Sequence, residues 1–419
     1  MSTAVSQPLA VALAAAVELE RVEPPTGNLT LGRGRLAGRV LRVGLVENRV
    51  ASGSLGALEC QRLAALFSVA AREGSGLVLF LDSAGARVSE GLAALGAFRT
   101  LYRAGLEAVL AGARIAVLLG RNCYGGASLV AHLARRRLFQ EDTQLAMSGP
   151  SVIASANGMD PLDETFRAMA IAALSPAARV RASAANSLWR PGDDLAAWLS
   201  QALAPPQDVK AELRARHEGL GERLPKGSPP GPAEAVRRRD LEKIYPGGYE
   251  AREGDGLIVG RGTRGGEAEA LAGIVGPSPL DAARAWRLAE VIWKMTDAPP
   301  PRLEVLLDCA SHAPRLEDER IVLTEFIVDM AFALAVLGAR GTRVGLTILG
   351  KAGGGVYVAL AAPASRVASV YGADIQVLPG SAVAAILGES RDTSADFDDY
   401  SAAGVADEEL KLGIIPGTT

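Results

Sequence analysis

One ordered set of features occurs twice along this 419-residue chain, and that repetition restricts the possible architectures more than any single motif. In the first half an amphipathic stretch, Leu58 to Ala71, leads to an apolar strand, Leu77 to Leu81, ending at Asp82. In the second, Ala282 to Met295 leads to a strand, Glu304 to Leu307, ending at Asp308. Helices follow at about Leu92 to Ala111 and Ile321 to Leu337. Buried strands, Ile115 to Leu119 and Val344 to Leu349, then run into the glycine pairs Gly125-Gly126 and Gly354-Gly355, each opening a helix. A third strand and a turn close each series, at Ser148-Gly149-Pro150 and at Pro379-Gly380-Ser381. The intervals nearly match: 44 and 47 positions from the aspartate to the second glycine, then 23 and 25 to the turn glycine.

Short leucine- and valine-rich strands alternating with helices predict an α/β fold with a buried sheet in each half. Between about Ala204 and Gly256, prolines and charge clusters such as Arg237-Arg238-Arg239 interrupt the apolar periodicity. The expected organisation is a first domain over 1–204, a connector over 205–255 with room for one short helix, and a second domain over 256–419. A net charge of −3 supplies no electrostatic reason to expect a nucleic acid or an anionic membrane as partner. The stretch Leu9 to Val17 lacks a basic lead-in and reads as a helix or frayed terminus, not as a signal peptide. Cys60, Cys123 and Cys309 have no paired spacing, and the expected compartment is the cytoplasm. No two histidines share metal-ligand spacing, so no metal is expected.

A strand that ends in Gly-Gly before a helix leaves backbone N–H groups unpaired, with the helix dipole adding positive character there. Glycine permits close approach of a ligand and positive φ. Fixed donors of this kind suit an oxyanion that develops during reaction. The alternative is that the pairs serve only tight turns and helix–strand packing. Gly350-Lys351-Ala352-Gly353-Gly354-Gly355 places its lysine ahead of the glycines, unlike a nucleotide-binding phosphate loop.

The first half reads Gly53-Ser54-Leu55-Gly56, then Asp82-Ser83-Ala84-Gly85-Ala86-Arg87-Val88-Ser89-Glu90-Gly91, then Cys123-Tyr124-Gly125-Gly126 and Ser148-Gly149-Pro150. It resembles the β subunit of biotin-independent malonate decarboxylase and, more broadly, the carboxyltransferases of the crotonase superfamily. The second half, with Asp308-Cys309-Ala310-Ser311-His312-Ala313, the charged run through Glu319 and Gly350-Lys351-Ala352, is similar to the γ subunit of the same decarboxylase. The chain departs from that pattern at Ala84 (usually glycine), Ser89 (usually glutamine) and Gly354 (usually serine).

The resemblance implies two ClpP/crotonase-like domains, each a ββα-superhelix, with the active site where they meet. It implies decarboxylation of a malonyl thioester to the acetyl thioester through an enolate, Gly125 and Gly126 forming one oxyanion hole and Gly354 and Gly355 the other. It implies no bound cofactor: CoA or a phosphopantetheine-type group arrives as part of the substrate. Implied partners are an acyl carrier protein, a carrier or CoA transferase subunit, and further copies or subunits of an oligomer. Candidate substrate-binding residues are Ser83, Ala84, Gly85, Arg87, Tyr124, Gly149, His312, Lys351, Tyr357 and Gly380. Within that set, a hydroxyl of Tyr124 or Tyr357 is a candidate proton donor, and Arg87 either meets carrier phosphates or pairs with Glu90. His132 reads as structural, His217 as a solvated connector residue, and Arg135-Arg136-Arg137 as a solvated helix end or carrier-docking patch. Two other readings are a biotin-dependent acyl-CoA carboxyltransferase using the same holes and a non-catalytic scaffold that binds acyl carriers. Valine at Gly126 or Gly355 is expected to slow turnover, with Gly227 as a silent control site.

Overall fold

The computed structural model describes residues 8–160, 163–226, 232–276, 278–378, 380, 383 and 395–412. Gly227 lies outside the described residues, as do Pro379 and Ser381 of the second turn. Two parallel-rich sheets form, one per half. The first runs in the order 20–21, 29–36, 39–46, 76–83, 114–124, 136–139 and 186–188, with 144–146 also on 114–124. The second runs 408–410, 366–370, 343–353, 302–309, 267–275, 257–264, 249–254 and 234–235, with 374–376 on 343–353. In each, an antiparallel hairpin feeds three consecutive parallel pairings. This is an α/β architecture of two parallel-rich sheets built to one pattern.

The duplication extends to single hydrogen bonds. The register slips between Leu81 and Ser83 in one sheet and between Leu307 and Cys309 in the other. At each slip an aspartate caps the neighbouring strand: Asp82 accepts the Asn122 N–H at 3.0 Å, and Asp308 accepts the Lys351 N–H at 2.9 Å. Isolated parallel bridges follow, Leu55 with Ala86 and Leu280 with His312. Ala86 and His312 therefore occupy equivalent places.

The helices Ala57–Glu73, Leu92–Leu110, Ala282–Met295 and Leu323–Ala339 put their apolar faces into one core that spans both halves. Helix Leu323–Ala339 is buried along most of its length, and its two ionisable residues, Glu325 and Asp329, are held in ion pairs. The outer face of the first sheet is covered by helices Pro8–Ala16 and Leu195–Ala202, which bury Leu9, Leu13 and Leu199. The Leu9 to Val17 stretch is thus a packed outer layer.

The proline-rich segment is more structured than its composition implies. It carries the helix Val209–Arg223 and the strand Tyr249–Gly254, which joins the second sheet. His217 is not solvated: its ring is buried between Asp329 (2.6 Å) and Glu290 (2.7 Å) and stacks on Trp286 at 5.4 Å. Burial alone would lower its pKa, but the two carboxylates outweigh that and raise it, favouring the protonated ring. The basic run is also divided. Arg136 faces solvent and Arg135 pairs with Glu212, whereas Arg137 is fully buried against Glu325 and Asn186.

Candidate active site at the seam between the halves

The parallel strands 114–124 and 343–353 end at the glycine pairs, and the helices Gly125–Ala131 and Gly354–Ala361 start there. Gly125 and Gly354 have φ of +51° and +53°, the left-handed region that disfavours other residues. Both pairs line one cavity of about 310 Å³ at the seam. Its apolar walls include Phe98, Leu129, Met147 and Val358. The Gly125 N–H already donates to the Met147 carbonyl at 3.2 Å, whereas the Gly126 amide, in a first helical turn, has no intrahelical partner.

Other expected site residues divide between the cavity and its frame. Ala84, Tyr124, Gly149 and His312 line it. Ser83 and Gly85 lie behind it, the Gly85 N–H donating to the Ser83 hydroxyl at 3.1 Å while Gly85 (φ +96°) packs against the backbone at Tyr124 and Gly126. Arg87 is occupied elsewhere, in ion pairs with Glu59 and Glu90 and a bond to the Ser54 carbonyl. Tyr357 does not reach the cavity: it is fully buried, and its hydroxyl donates to the Val405 carbonyl at 2.6 Å. Burial raises both tyrosine pKa values, and the Tyr124 hydroxyl is held by Gln144, so neither phenol faces the glycines as a free donor. Lys351 is exposed, and neither it nor the exposed Gly380 lines the cavity. His132 is fully buried, its Nδ1 2.7 Å from the Ser128 carbonyl, and is structural.

The structure also shows what sequence reasoning missed. Ser148 Oγ and His312 Nε2, from opposite halves, lie 2.7 Å apart in the cavity wall. His312 Nδ1 lies 3.3 Å from Ser311 Oγ. Burial lowers the His312 pKa to about 4, so the ring is neutral at pH 7. The Ser148 N–H donates to Glu319 at 2.8 Å, and Glu319 is fully buried with Arg179 at 3.6 Å. The loose pair does not offset the loss of hydration: burial pushes Glu319 up to about 7 and Arg179 down. Ser148 and Glu319 sit in stretches already singled out, but only the contact between the halves makes them partners.

Residues 7–172 match the carboxyl transferase domain family. Over 142 residues the chain is 27% identical to the methylmalonyl-CoA carboxyltransferase 12S subunit of Propionibacterium freudenreichii subsp. shermanii, covering 34% of this chain and 27% of that protein. It is 30% identical over 141 residues to the carboxyltransferase subunit of propionyl-CoA carboxylase from Haloferax mediterranei, covering 33% of this chain and 27% of that protein. The matched stretch thus spans about a quarter of each relative. Among solved structures, a Pseudomonas malonate decarboxylase heterodimer aligns with a TM-score of 0.40 and 21% identity over 49% of this chain and 92% of the other. Transcarboxylase 12S aligns with a TM-score of 0.38 and 19% identity over 96% of this chain and 85% of the other. The first part of the chain, residues 7–172, is therefore similar to the carboxyl transferase domain, as found in the methylmalonyl-CoA carboxyltransferase and propionyl-CoA carboxylase subunits.

Proposed function

We propose that the chain decarboxylates a malonyl-type thioester to the acetyl thioester through an enolate. The observation that carries this reading is the convergence of two strand-to-helix glycine pairs on one small, largely apolar cavity. A malonyl thioester has an acyl oxygen and a carboxylate at its two ends, and each needs its own donors. As the C–C bond to the carboxylate breaks, its electrons move into the thioester carbonyl and CO₂ leaves. Backbone amides at one pair hold the growing oxyanion without reorganising, while the apolar walls keep water from weakening that interaction. The departing carboxylate lies at the other pair, where the dry surroundings favour a neutral product over an anion.

CoA or a phosphopantetheine-type arm delivers the acyl group, and a carrier protein, a transferase subunit and further copies of the chain complete the assembly in this reading. Incubation with malonyl-CoA, following CO₂ release and acetyl-CoA formation without biotin, tests it. Absence of both products in the assembled protein rejects it. A second reading, carboxyl transfer between a biotin carrier and an acyl-CoA, is favoured by the match of residues 7–172 and by the names of the relatives. CO₂ formation only when biotin is supplied would select it.

A further inference from the structure

The two ends of the cavity share backbone geometry but differ in side chains. By strand register, Tyr124 with Ala146 and Gly353 with Gln376 are equivalent pairs, so Ser148 in the first half corresponds to Leu378 in the second. By the isolated bridges, His312 corresponds to Ala86. All four line the cavity. The duplication therefore places Ser148 and His312 on one wall and Leu378 and Ala86 at the equivalent positions. Ser148 directly follows the carbonyl that holds the Gly125 N–H, and Ser311 Oγ lies 3.7 Å from where a Cβ on Gly354 would sit. The Ser148–His312–Ser311 series thus runs from one glycine pair toward the other.

We propose that Ser148, backed by His312, is the proton donor to the α-carbon of the enolate, an inference that rests on the function proposed above. An acyl group held at both ends by the glycine pairs has its α-carbon between them, beside this polar wall. In the step, the enolate carbon takes the Ser148 hydroxyl proton, forming C–H and breaking O–H. The Nε2 proton of His312 passes to Ser148 Oγ, the Ser311 hydroxyl proton passes to Nδ1, and one proton from water restores Ser311, leaving hydroxide in solvent. Reversal of the relay from Nδ1 through Ser311 and a second proton from solvent at Ser148 return the ring to its Nε2–H form. The opposite role, His312 drawing the proton from Ser148 to make a nucleophile, suits this ring poorly: burial has made it a weak base but leaves an N–H to give.

The test uses acetyl-CoA in D₂O, reading deuterium entry into the methyl group by mass spectrometry, beside malonyl-CoA decarboxylation, for the full chain and for Ser148→Ala and His312→Gln. Ser148→Ala keeps the backbone N–H that Glu319 holds, and glutamine in place of His312 still donates to Ser148 but cannot relay. Both variants are expected to exchange about 100-fold more slowly, with KM for acetyl-CoA within threefold of the parent. Exchange within threefold of the parent in either variant, or a loss confined to KM, overturns the donor assignment while decarboxylation by the parent leaves the functional reading intact. A parent protein that neither decarboxylates malonyl-CoA nor exchanges acetyl-CoA removes both.

Discussion

Alanine at Gly125 separates an oxyanion role from a packing role more cleanly than valine at the neighbouring glycines. A Cβ at Gly126 would run into the Phe98 ring, and one at Gly355 into the Met147 side chain, so substitutions there disturb the core as well as the site. At Gly125 the nearest atom to an added Cβ is the Met147 carbonyl at 4.0 Å, so a methyl group enters open cavity. The backbone cost remains: alanine at φ +51° loses about 1 kcal/mol. Gly74 is the matched control, with φ +60° and nothing within 4 Å of an added Cβ, at the end of the helix Ala57–Glu73 away from the cavity. Both alanine variants should lose the same roughly 1 kcal/mol, a shift of roughly 1 °C in Tm for a chain of this length. Only Gly125→Ala should lose turnover, because its methyl keeps the oxyanion from the adjacent amides. Loss of one such donor is worth about 100- to 1,000-fold in kcat. The assay is malonyl-CoA turnover beside thermal unfolding for both variants. A folded Gly125→Ala variant with kcat within threefold of the parent would refute the oxyanion assignment, and equal losses in both variants would identify backbone strain as the cause.

Three further outcomes are expected. Glu319 is raised from 4.5 to about 7 by burial, so the unfolded chain releases its proton first; its contribution to stability is fully present below about pH 4.5 and is lost as pH rises to about 7. Glu319→Gln should flatten that slope, by on the order of 3 kcal/mol across the window, as read from denaturant unfolding at a series of pH values. His217 has the raised pKa of a cation between two carboxylates, so its contribution is present below about pH 6.5 and is lost as pH rises through its folded value. His217→Gln leaves Asp329 short of its cation and should cost about 3 kcal/mol in unfolding, with turnover per folded molecule unchanged. Decarboxylation of malonyl-CoA should persist in EDTA and without biotin, because the thioester carbonyl itself accepts the electrons; activity lost to the chelator and restored by one metal would contradict this.

The duplicated strands, helices and glycine pairs were legible in the sequence because each rests on local physics. Apolar periodicity set the helix at 282–295 and the strands on either side of Asp82 and Asp308, and the left-handed backbone at Gly125 and Gly354 favours glycine. Partnerships between ionisable groups distant in sequence were not legible. Arg87 had Glu90 as one of its two expected partners and pairs with it, but its second carboxylate, Glu59, was not foreseen. Arg137 read as a solvated or docking cation and His217 as solvated, because a charged residue in a polar-looking stretch is usually exposed. Arg137 is instead held by Glu325, and His217 by Glu290 and Asp329. Ser148 and His312 stand 164 positions apart, and Ser148 and Glu319 stand 171 apart. No periodicity links such residues. The packing of one half against the other decides which meet, and the low polarisability of the buried seam then sets their charge, leaving His312 neutral and raising Glu319 toward neutral pH.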